Sequence, residues 1–332
     1  MQELPGHVPL LAATRGRTVE CIHYGSIAVC DLRGDPVAGL GDVRALNFAR
    51  SALKPLQALP FIEDDGPARF GFGSHEVALM CASHSGEAVH VRTVQRMLAR
   101  IGARAADLQC GCHPPHYYAA TGQSPPPGAR FGALHHNCSG KHAGFLAYCR
   151  LHRHPLADYL APESPLQMRI RNTVQQFAGS RPIESGIDGC SAPNYALPLA
   201  KLAHFYARLA AGQDAALCAL RYAMGRHPDL VSGTARFDLA VAQAGGGDWI
   251  AKAGADGVQA IGVRSRALGI AVRIADGDAR AVHVVTAEVL YQMGLLARPA
   301  ESPLAHTFRP ALTNYRGTVV GALQPLFALE RK

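Results

Sequence analysis

Arg50–Ser51–Ala52–Leu53–Lys54–Pro55 is the stretch around which the chain reads as organised. Ser51 and Lys54 lie three residues apart, so a helix places them on one face, one turn apart, with the lysine amine in reach of the serine hydroxyl. A serine is a weak nucleophile until a base takes its proton, and a lysine kept neutral by burial can be that base. Pro55 is tolerated only in a first helical turn, which starts the helix near Ser51. Ser-x-x-Lys alone arises often by chance, so its meaning depends on what the rest of the chain supplies.

The bulk properties leave room for an enzyme. With 332 residues the chain can bury a sizeable core in one large domain or two. Apolar residues make up 48% and charged residues 17%, a compact composition that argues against disorder. The formal charge of +8 is spread out, with no Lys/Arg run of five or more and few aromatics beside it. A nucleic-acid surface is therefore not expected. Arginine greatly outnumbers lysine, which makes each of the five lysines informative. Lys332 and Lys201 read as ordinary solvated side chains, whereas Lys54, Lys141 and Lys252 sit beside glycine, serine or cysteine in odd local sequences.

Nine cysteines, in spacings that form no secreted disulfide framework, suit a reducing compartment. Met1–Gln2–Glu3 opens no basic region followed by an apolar run, and no stretch approaches eighteen apolar residues. The expectation is a cytoplasmic protein with neither signal peptide nor membrane span.

Hydrophobic periodicity gives a coarse architecture. Thr18 to Leu40 reads as a β-hairpin turning at Arg33–Gly34–Asp35–Pro36. Ser74 is positioned to cap a short helix to Cys81, and Val91, Val94, Leu98 and Ile101 recur at helical spacing over 87–101. The prolines at 114–115 and 125–127 predict an irregular, mobile loop over 110–130. The middle third is helical: 140–153, a helix begun by the capping box Ser164–Pro165–Leu166–Gln167, one carrying Leu199, Leu202, Phe205 and Leu209, and one capped by Asp214. Strands return at 258–263 and 268–275, followed by a helix over 278–296 and a short strand at 318–320. Strands at both ends with helices between predict an α+β fold, a single domain over 1–332 with a helical subregion at about 135–245 and the terminal strands in one antiparallel sheet.

Four further clusters bear on chemistry. Ala82–Ser83–His84–Ser85–Gly86–Glu87 reads either as a helix cap, with Ser85 and Gly86 before Glu87, or as a second reactive serine. Lys252–Ala253–Gly254 follows the apolar Trp249–Ile250, so Lys252 projects from a strand, either as an exposed edge residue or into a site. Ser-x-x-Lys, a serine-bearing turn and Lys-small-Gly on a late strand follow the chain order of serine β-lactamases and penicillin-binding proteins. Two lysines sharing a pocket destabilise each other's charge, which leaves one neutral and basic near pH 7.

His135–His136–Asn137–Cys138–Ser139–Gly140–Lys141–His142 is not a phosphate-binding loop: His135 replaces the first glycine and His142 the magnesium-binding Ser/Thr. Cys138 and Lys141 lie one helical turn apart, and Cys190, in Gly186–Ile187–Asp188–Gly189–Cys190–Ser191–Ala192–Pro193–Asn194, could add a second sulfur. Two thiolates and a neutral amine would bind zinc with one position open; two inert core cysteines and a lysine are the alternative. Cys110–Gly111–Cys112–His113 has too short a spacing for a metal pair and reads as core.

Together these blocks, with Tyr24–Gly25–Ser26–Ile27–Ala28, Lys252–Ala253–Gly254–Ala255–Asp256–Gly257 and Asn314–Tyr315–Arg316–Gly317, resemble the L-asparaginase II family of rhizobial-type asparaginases over nearly the whole chain. The resemblance implies a serine β-lactamase-like fold, a homodimer, and hydrolysis of L-asparagine to L-aspartate and ammonia. It implies two Ser–Lys pairs, Ser51–Lys54 and Ser83–Lys252, and zinc held by Cys138, Lys141 and Cys190 in a positional role. Asp188 would lie beside the metal, and Arg50 and His142 would line the pocket. Rival expectations are a glutaminase, peptide amidase or β-lactam hydrolase, and a non-catalytic zinc-binding or ligand-sensing relative.

Overall fold

In a computed structural model, residues 4–179 and 183–331 are described. Met1–Gln2–Glu3 and Lys332, read above, lie outside them. The strands in chain order are β1 (Val8–Arg15), β2 (Thr18–Cys30), β3 (Pro36–Leu40), β4 (Leu46–Phe48), β5 (Glu184–Ile187), β6 (Pro193–Pro198), β7 (Trp249–Gly254), β8 (Val258–Val263), β9 (Leu268–Ile274), β10 (Ala311–Thr313), β11 (Val319–Pro325) and β12 (Glu330–Arg331). A main antiparallel sheet runs β10-β11-β1-β2-β9-β8-β7, with β3 pairing to β2 and β12 to β3. A small second sheet has the order β4-β6-β5.

The α+β class and the joining of both chain ends in one antiparallel sheet are as expected from the sequence. So is the β2–β3 hairpin, turning at residues 31–35. The first strand β1 and the small sheet carry no clear alternation of apolar and polar residues and were not anticipated. The strand expected at 318–320 is β11, which runs on to Pro325 because pairing with β1 extends it. The expected irregular loop contains a short helix, His116–Thr121; the prolines bracket it, and Pro115 sits just before its first turn, where a missing N–H does no harm.

Two faces of the main sheet are built differently. Ile27, Val29, Ile261, Val263, Ile270 and Val272 pack with the closing helix Ala279–Gln292 through Val282, Val285 and Val289. The opposite face carries Ala28, Ala260, Ala271, Gly262 and Gly269. A Cβ at Gly262 or Gly269 would run into the backbone of Tyr206 or Ala203, so these small residues let the helix Leu199–Ala211 lie directly on the sheet. Because side chains alternate along a strand, Lys252 shares the face of Ile250, which belongs to the core of the helical half. The expectation of an exposed edge lysine fails on that parity: Lys252 is fully buried.

Helix ends follow the expected chemistry in the middle third. Ser164 Oγ accepts from the Gln167 N–H at 3.3 Å and Asp214 from the Leu217 N–H at 2.8 Å. Ser85 does not cap the helix Ala88–Arg100; its hydroxyl donates instead to Ser232 O at 3.1 Å, and the His90 ring accepts from the Glu87 N–H at 3.1 Å.

Candidate active site

Arg50–Leu53 forms a 3₁₀ turn that leads directly into the helix Lys54–Glu63, with Pro55 in its first turn. Arg50 has a left-handed φ of 51°, an unfavourable conformation for a residue with a side chain. The Asn194 amide clamps it. Asn194 Oδ1 accepts from the Arg50 N–H and Asn194 Nδ2 donates to Arg50 O, both at 3.1 Å. Thus the β6 strand sets the backbone immediately before Ser51. Gly254 on β7 lies so close to Ala49 O that a Cβ would collide with it, so the Lys252–Ala253–Gly254 strand reaches this turn only through a glycine.

Lys54, 1% exposed, does not turn back to Ser51 as the spacing suggested. Its Nζ donates to Ala82 O at 2.5 Å and to Ser83 Oγ at 2.9 Å. A buried amine must satisfy its N–H groups, and the acceptors lie at the end of the helix Ser74–Met80 rather than at Ser51. In its hydrogen bonds Lys54 therefore meets Ser83 and not Ser51, and Lys252 meets Ala253 O and not Ser83. Ser51 is half-buried, and its hydroxyl makes no hydrogen bond among the described residues. Ser83 is buried, with its backbone N–H donated to Val231 O at 2.9 Å.

Lys252 Nζ donates to Ala253 O at 2.6 Å and lies 3.7 Å from Asp238 Oδ2. Burial pushes its pKa down to about 8; Asp238 resists the shift, while the positive charges of Lys54 and Arg236 add to it. Asp238 is a residue that sequence reasoning missed. Its carboxylate accepts from the Ala253 N–H at 2.8 Å and from Gln259 Nε2 at 2.9 Å, and so ties β7 to β8 behind Lys252. The only available signal was an acid beside Arg236 and Phe237 in an otherwise ordinary helix.

Beside Ser83, the Gly86 N–H donates to His84 Nδ1 at 3.1 Å, which leaves His84 Nε2 to donate to Ser139 Oγ at 2.9 Å. Burial holds the His84 pKa well below its usual value, so this connector to the helix Ser139–Leu151 is neutral. Gly140 and Gly144 let that helix pack against the backbone of Leu79 and the side chain of Met80, which accounts for two glycines in a buried helix.

Cys138, Lys141 and Cys190 come together behind the lysine–serine centre. Lys141 Nζ donates to Cys190 Sγ at 3.1 Å. Cys190 bears on the Cys138 thiol by hydrogen bonding and, against the effect of burial, holds its pKa well below the usual range, helped by Lys54 and Lys141. Burial disfavours the Lys141 ammonium, but Cys190 and Cys138 raise its pKa overall. Among the described residues no group of three or more His, Cys, Asp or Glu side chains is arranged to hold a metal ion. The sulfurs nevertheless converge with the lysine amine, and thiolate-favouring surroundings are what a zinc ligand needs, so this donor set fits zinc if Lys141 yields its proton.

His142 was expected to line the pocket. It is fully buried, its Nδ1 is 2.7 Å from the Tyr159 hydroxyl, and burial lowers its pKa to about 4. Tyr159 OH also accepts from the Gln109 N–H at 2.8 Å, so its own proton goes to His142 Nδ1. Cys190 bears on this ring by hydrogen bonding and raises its pKa against the effect of burial, while Nε2 has no partner at ordinary hydrogen-bond geometry. One helical position after Lys141, the ring is turned into the core, and it supports the thiol cluster from behind.

Asp188 lies where Arg50 can use it. Arg50 meets Asp188 Oδ1 through Nε at 3.0 Å and Nη2 at 2.9 Å, the Gly189 N–H donates to the same oxygen at 2.8 Å, and Asn194 Nδ2 donates to Oδ2 at 3.1 Å. Burial opposes the charge, but Lys141 and Arg50 hold the carboxyl pKa below its usual value. Arg50 also pairs with Asp256. A cleft of about 340 Å³ opens here, lined by Arg50, Asp188, Asn194, Asp256 and Arg273. A second, of about 460 Å³, lies along Ala253–Gly254–Ala255 and reaches Arg236, Asp238 and His116, with Asp256 on the rim of both.

Among solved structures, the chain is similar to a β-lactamase from Mycobacterium bovis, at 15% identity over 81% of this chain and 94% of that one, with a TM-score of 0.43. It is also similar to the octameric penicillin-binding protein homologue from Pyrococcus abyssi, at 12% identity over 89% and 80%, with a TM-score of 0.44. Among curated proteins no sequence relative matches. No helix among the described residues is long and apolar enough to cross a membrane. The blocks brought together here, from the Ser51 turn to the Lys252 strand, fall within residues 11–325, which match the L-asparaginase II model, and the chain belongs to that family.

Proposed function

We propose that the protein hydrolyses L-asparagine to L-aspartate and ammonia through an acyl-enzyme on Ser51. The observation that carries this reading is the gathering of three segments far apart in sequence: a Lys54–Ser83 hydrogen-bonded unit, buried Lys252 within its electrostatic reach, and an unengaged Ser51 hydroxyl one turn before Lys54. In this reading Lys54 is neutral when Ser51 attacks. Ala82 O, Ser83 Oγ and the Cys138 thiol surround the amine, and an amine that has passed one proton on has a lone pair able to take the Ser51 proton.

Ser51 Oγ bonds to the side-chain amide carbon while its proton passes to Lys54. The C–N bond then breaks and ammonia leaves with that proton, relayed through Ser83. Water next attacks the ester with loss of a proton to the same unit, Ser51 regains its hydrogen, and aspartate departs. Lys252 supports the relay by its charge and by holding the β7 edge against the Ser51 turn. Cys138, Cys190 and Lys141 would hold zinc, whose charge, when present, would help to position the substrate. Zinc added to the native protein is expected to raise the melting temperature, and Cys138→Ser is expected to abolish that rise.

Ammonia release by the pure protein, measured side by side with asparagine, glutamine and a chromogenic β-lactam, tests the substrate class. Turnover of asparagine well above the other two is expected, and its absence overturns the reading. A second assignment has one observation in its favour: Ser83, not Ser51, carries the hydrogen bond to Lys54. Near-normal turnover in Ser51→Ala with loss in Ser83→Ala would move the acyl group to Ser83.

A further inference from the structure

The charged groups around the two clefts differ in one respect. Arg50 is met by Asp188 and Asp256, and Arg273 contacts Asp256 O. The Arg236 guanidinium lines the cleft beside Ala253 and Gly254 yet makes no ion pair and no side-chain hydrogen bond among the described residues. Asp238, two residues on, attracts it from a distance, but both oxygens of that carboxylate are already taken by Ala253 and Gln259. An arginine mostly buried without an anion is an unfinished interaction, because its planar fork is suited to a carboxylate.

The backbone that presents Arg236 is also fastened to the Ser83 turn. Ser85 donates to Ser232 O at 3.1 Å, and the Glu87 carboxylate accepts from Thr234 N–H and Thr234 Oγ1, both at 2.9 Å. Gly233, at φ 122°, leaves no space for a Cβ between Ser85 and Glu87. The backbone that carries Arg236 is therefore held in place before any ligand arrives. The guanidinium sits within electrostatic reach of Lys252, and both Arg236 and Lys54 act on His116 in the same cleft.

We propose that Arg236 is the anchor for the α-carboxylate of the amino-acid substrate, a specificity residue that rests on the asparaginase reading above. The substrate's carboxylate would complete a bidentate pair with the guanidinium while its side-chain amide reaches the Ser51–Lys54–Ser83 centre.

The test uses Arg236→Gln and Arg236→Lys in the full-length protein, with L-asparagine and with 3-aminopropanamide, the same amide without the α-carboxylate. The ratio of kcat/KM for the two substrates is expected to fall about 10- to 100-fold in the glutamine variant, mainly through KM, and less in the lysine variant. Calorimetric binding of L-aspartate is expected to weaken by a similar factor. An unchanged ratio in a variant with native circular dichroism overturns the proposal. Should Arg236→Gln fail to fold, the lysine variant, which keeps the charge but loses the fork, decides: unaltered ratio and L-aspartate affinity count against it. If the native protein turns over neither amide, the asparaginase reading falls on its own, and L-aspartate binding still judges Arg236: retention in the variants overturns the anchor, loss supports it.

Discussion

The two walls of the active region are built on opposite electrostatic plans. On the Arg50 side the central charges are answered: Asp188 accepts from the guanidinium, from Gly189 and from Asn194, and Asp256 closes the other end of Arg50. On the Lys54–Lys252 side two buried amines share a pocket with hydroxyls and carbonyl oxygens, and the nearest carboxylate, Asp238, stands 3.7 Å from Lys252. A satisfied network holds geometry, and a left-handed Arg50 needs that holding. In an under-compensated one burial can lower the pKa of an amine, as it does to about 8 at Lys252.

The comparison breaks most visibly at the second wall. Ser51→Ala and Lys54→Met are each expected to lower kcat on the order of 1,000-fold or more, with the fold retained by circular dichroism. An equal loss from Asn194→Ala would erase the distinction between a reacting wall and a holding one.

Next in size is a pH effect. Lys252, lowered to about 8 by burial, is expected to give kcat/KM a descending limb near that pH as its ammonium loses the charge that supports the relay. Asp238, ahead of Cys138, raises this pKa, so Asp238→Asn should move the limb to lower pH, and a limb that stays in place would separate Lys252 from catalysis. The sign for stability follows from the same depression. Between about 8 and the unperturbed 10.5 the unfolded chain holds a proton that the folded chain does not, so this group's contribution to stability rises with pH across that window.

The holding wall should fail as structure does. Asn194→Ala leaves the Arg50 N–H and carbonyl without their partner and a strained φ without its clamp; a loss of about 1–3 kcal/mol is expected by urea denaturation. Smallest is Asp256→Asn. Asp256 is largely exposed, and removing its pair with Arg50 should change stability by no more than about 1 kcal/mol, with the effect fading as salt is added.

Much of this could be read without coordinates. The β2–β3 hairpin, the caps at Ser164 and Asp214, and the helix over 88–100 follow from alternation, turn residues and capping oxygens, which act over a few residues. The gathering of Ser51, Lys54, Ser83 and Lys252 was legible as chain order, and Cys138 with Lys141 as helical spacing. What was not legible is who bonds to whom. Lys54 has four flexible bonds, and its choice of Ser83 over Ser51 rests on where the helix Ser74–Met80 ends. His142 looked like a pocket residue because it follows Lys141, yet one position on a helix turns a side chain by roughly 100°, and here that turn leads into the core beside Tyr159. Asp238, Asn194 and Arg236 carried no spacing signal, since their partners lie far away along the chain.

The sequence by itself determined the class of fold, the family and a list of candidate side chains, because local periodicity and residue chemistry are properties of short segments. Only the tertiary structure decided how that list divides into a neutralised wall and a poised one. A charge is poised or spent according to burial and to neighbours that the folding of distant strands brings within 4 Å. The Ser51 turn, pressed between Asn194 on β6 and Gly254 on β7, is where those distant strands meet.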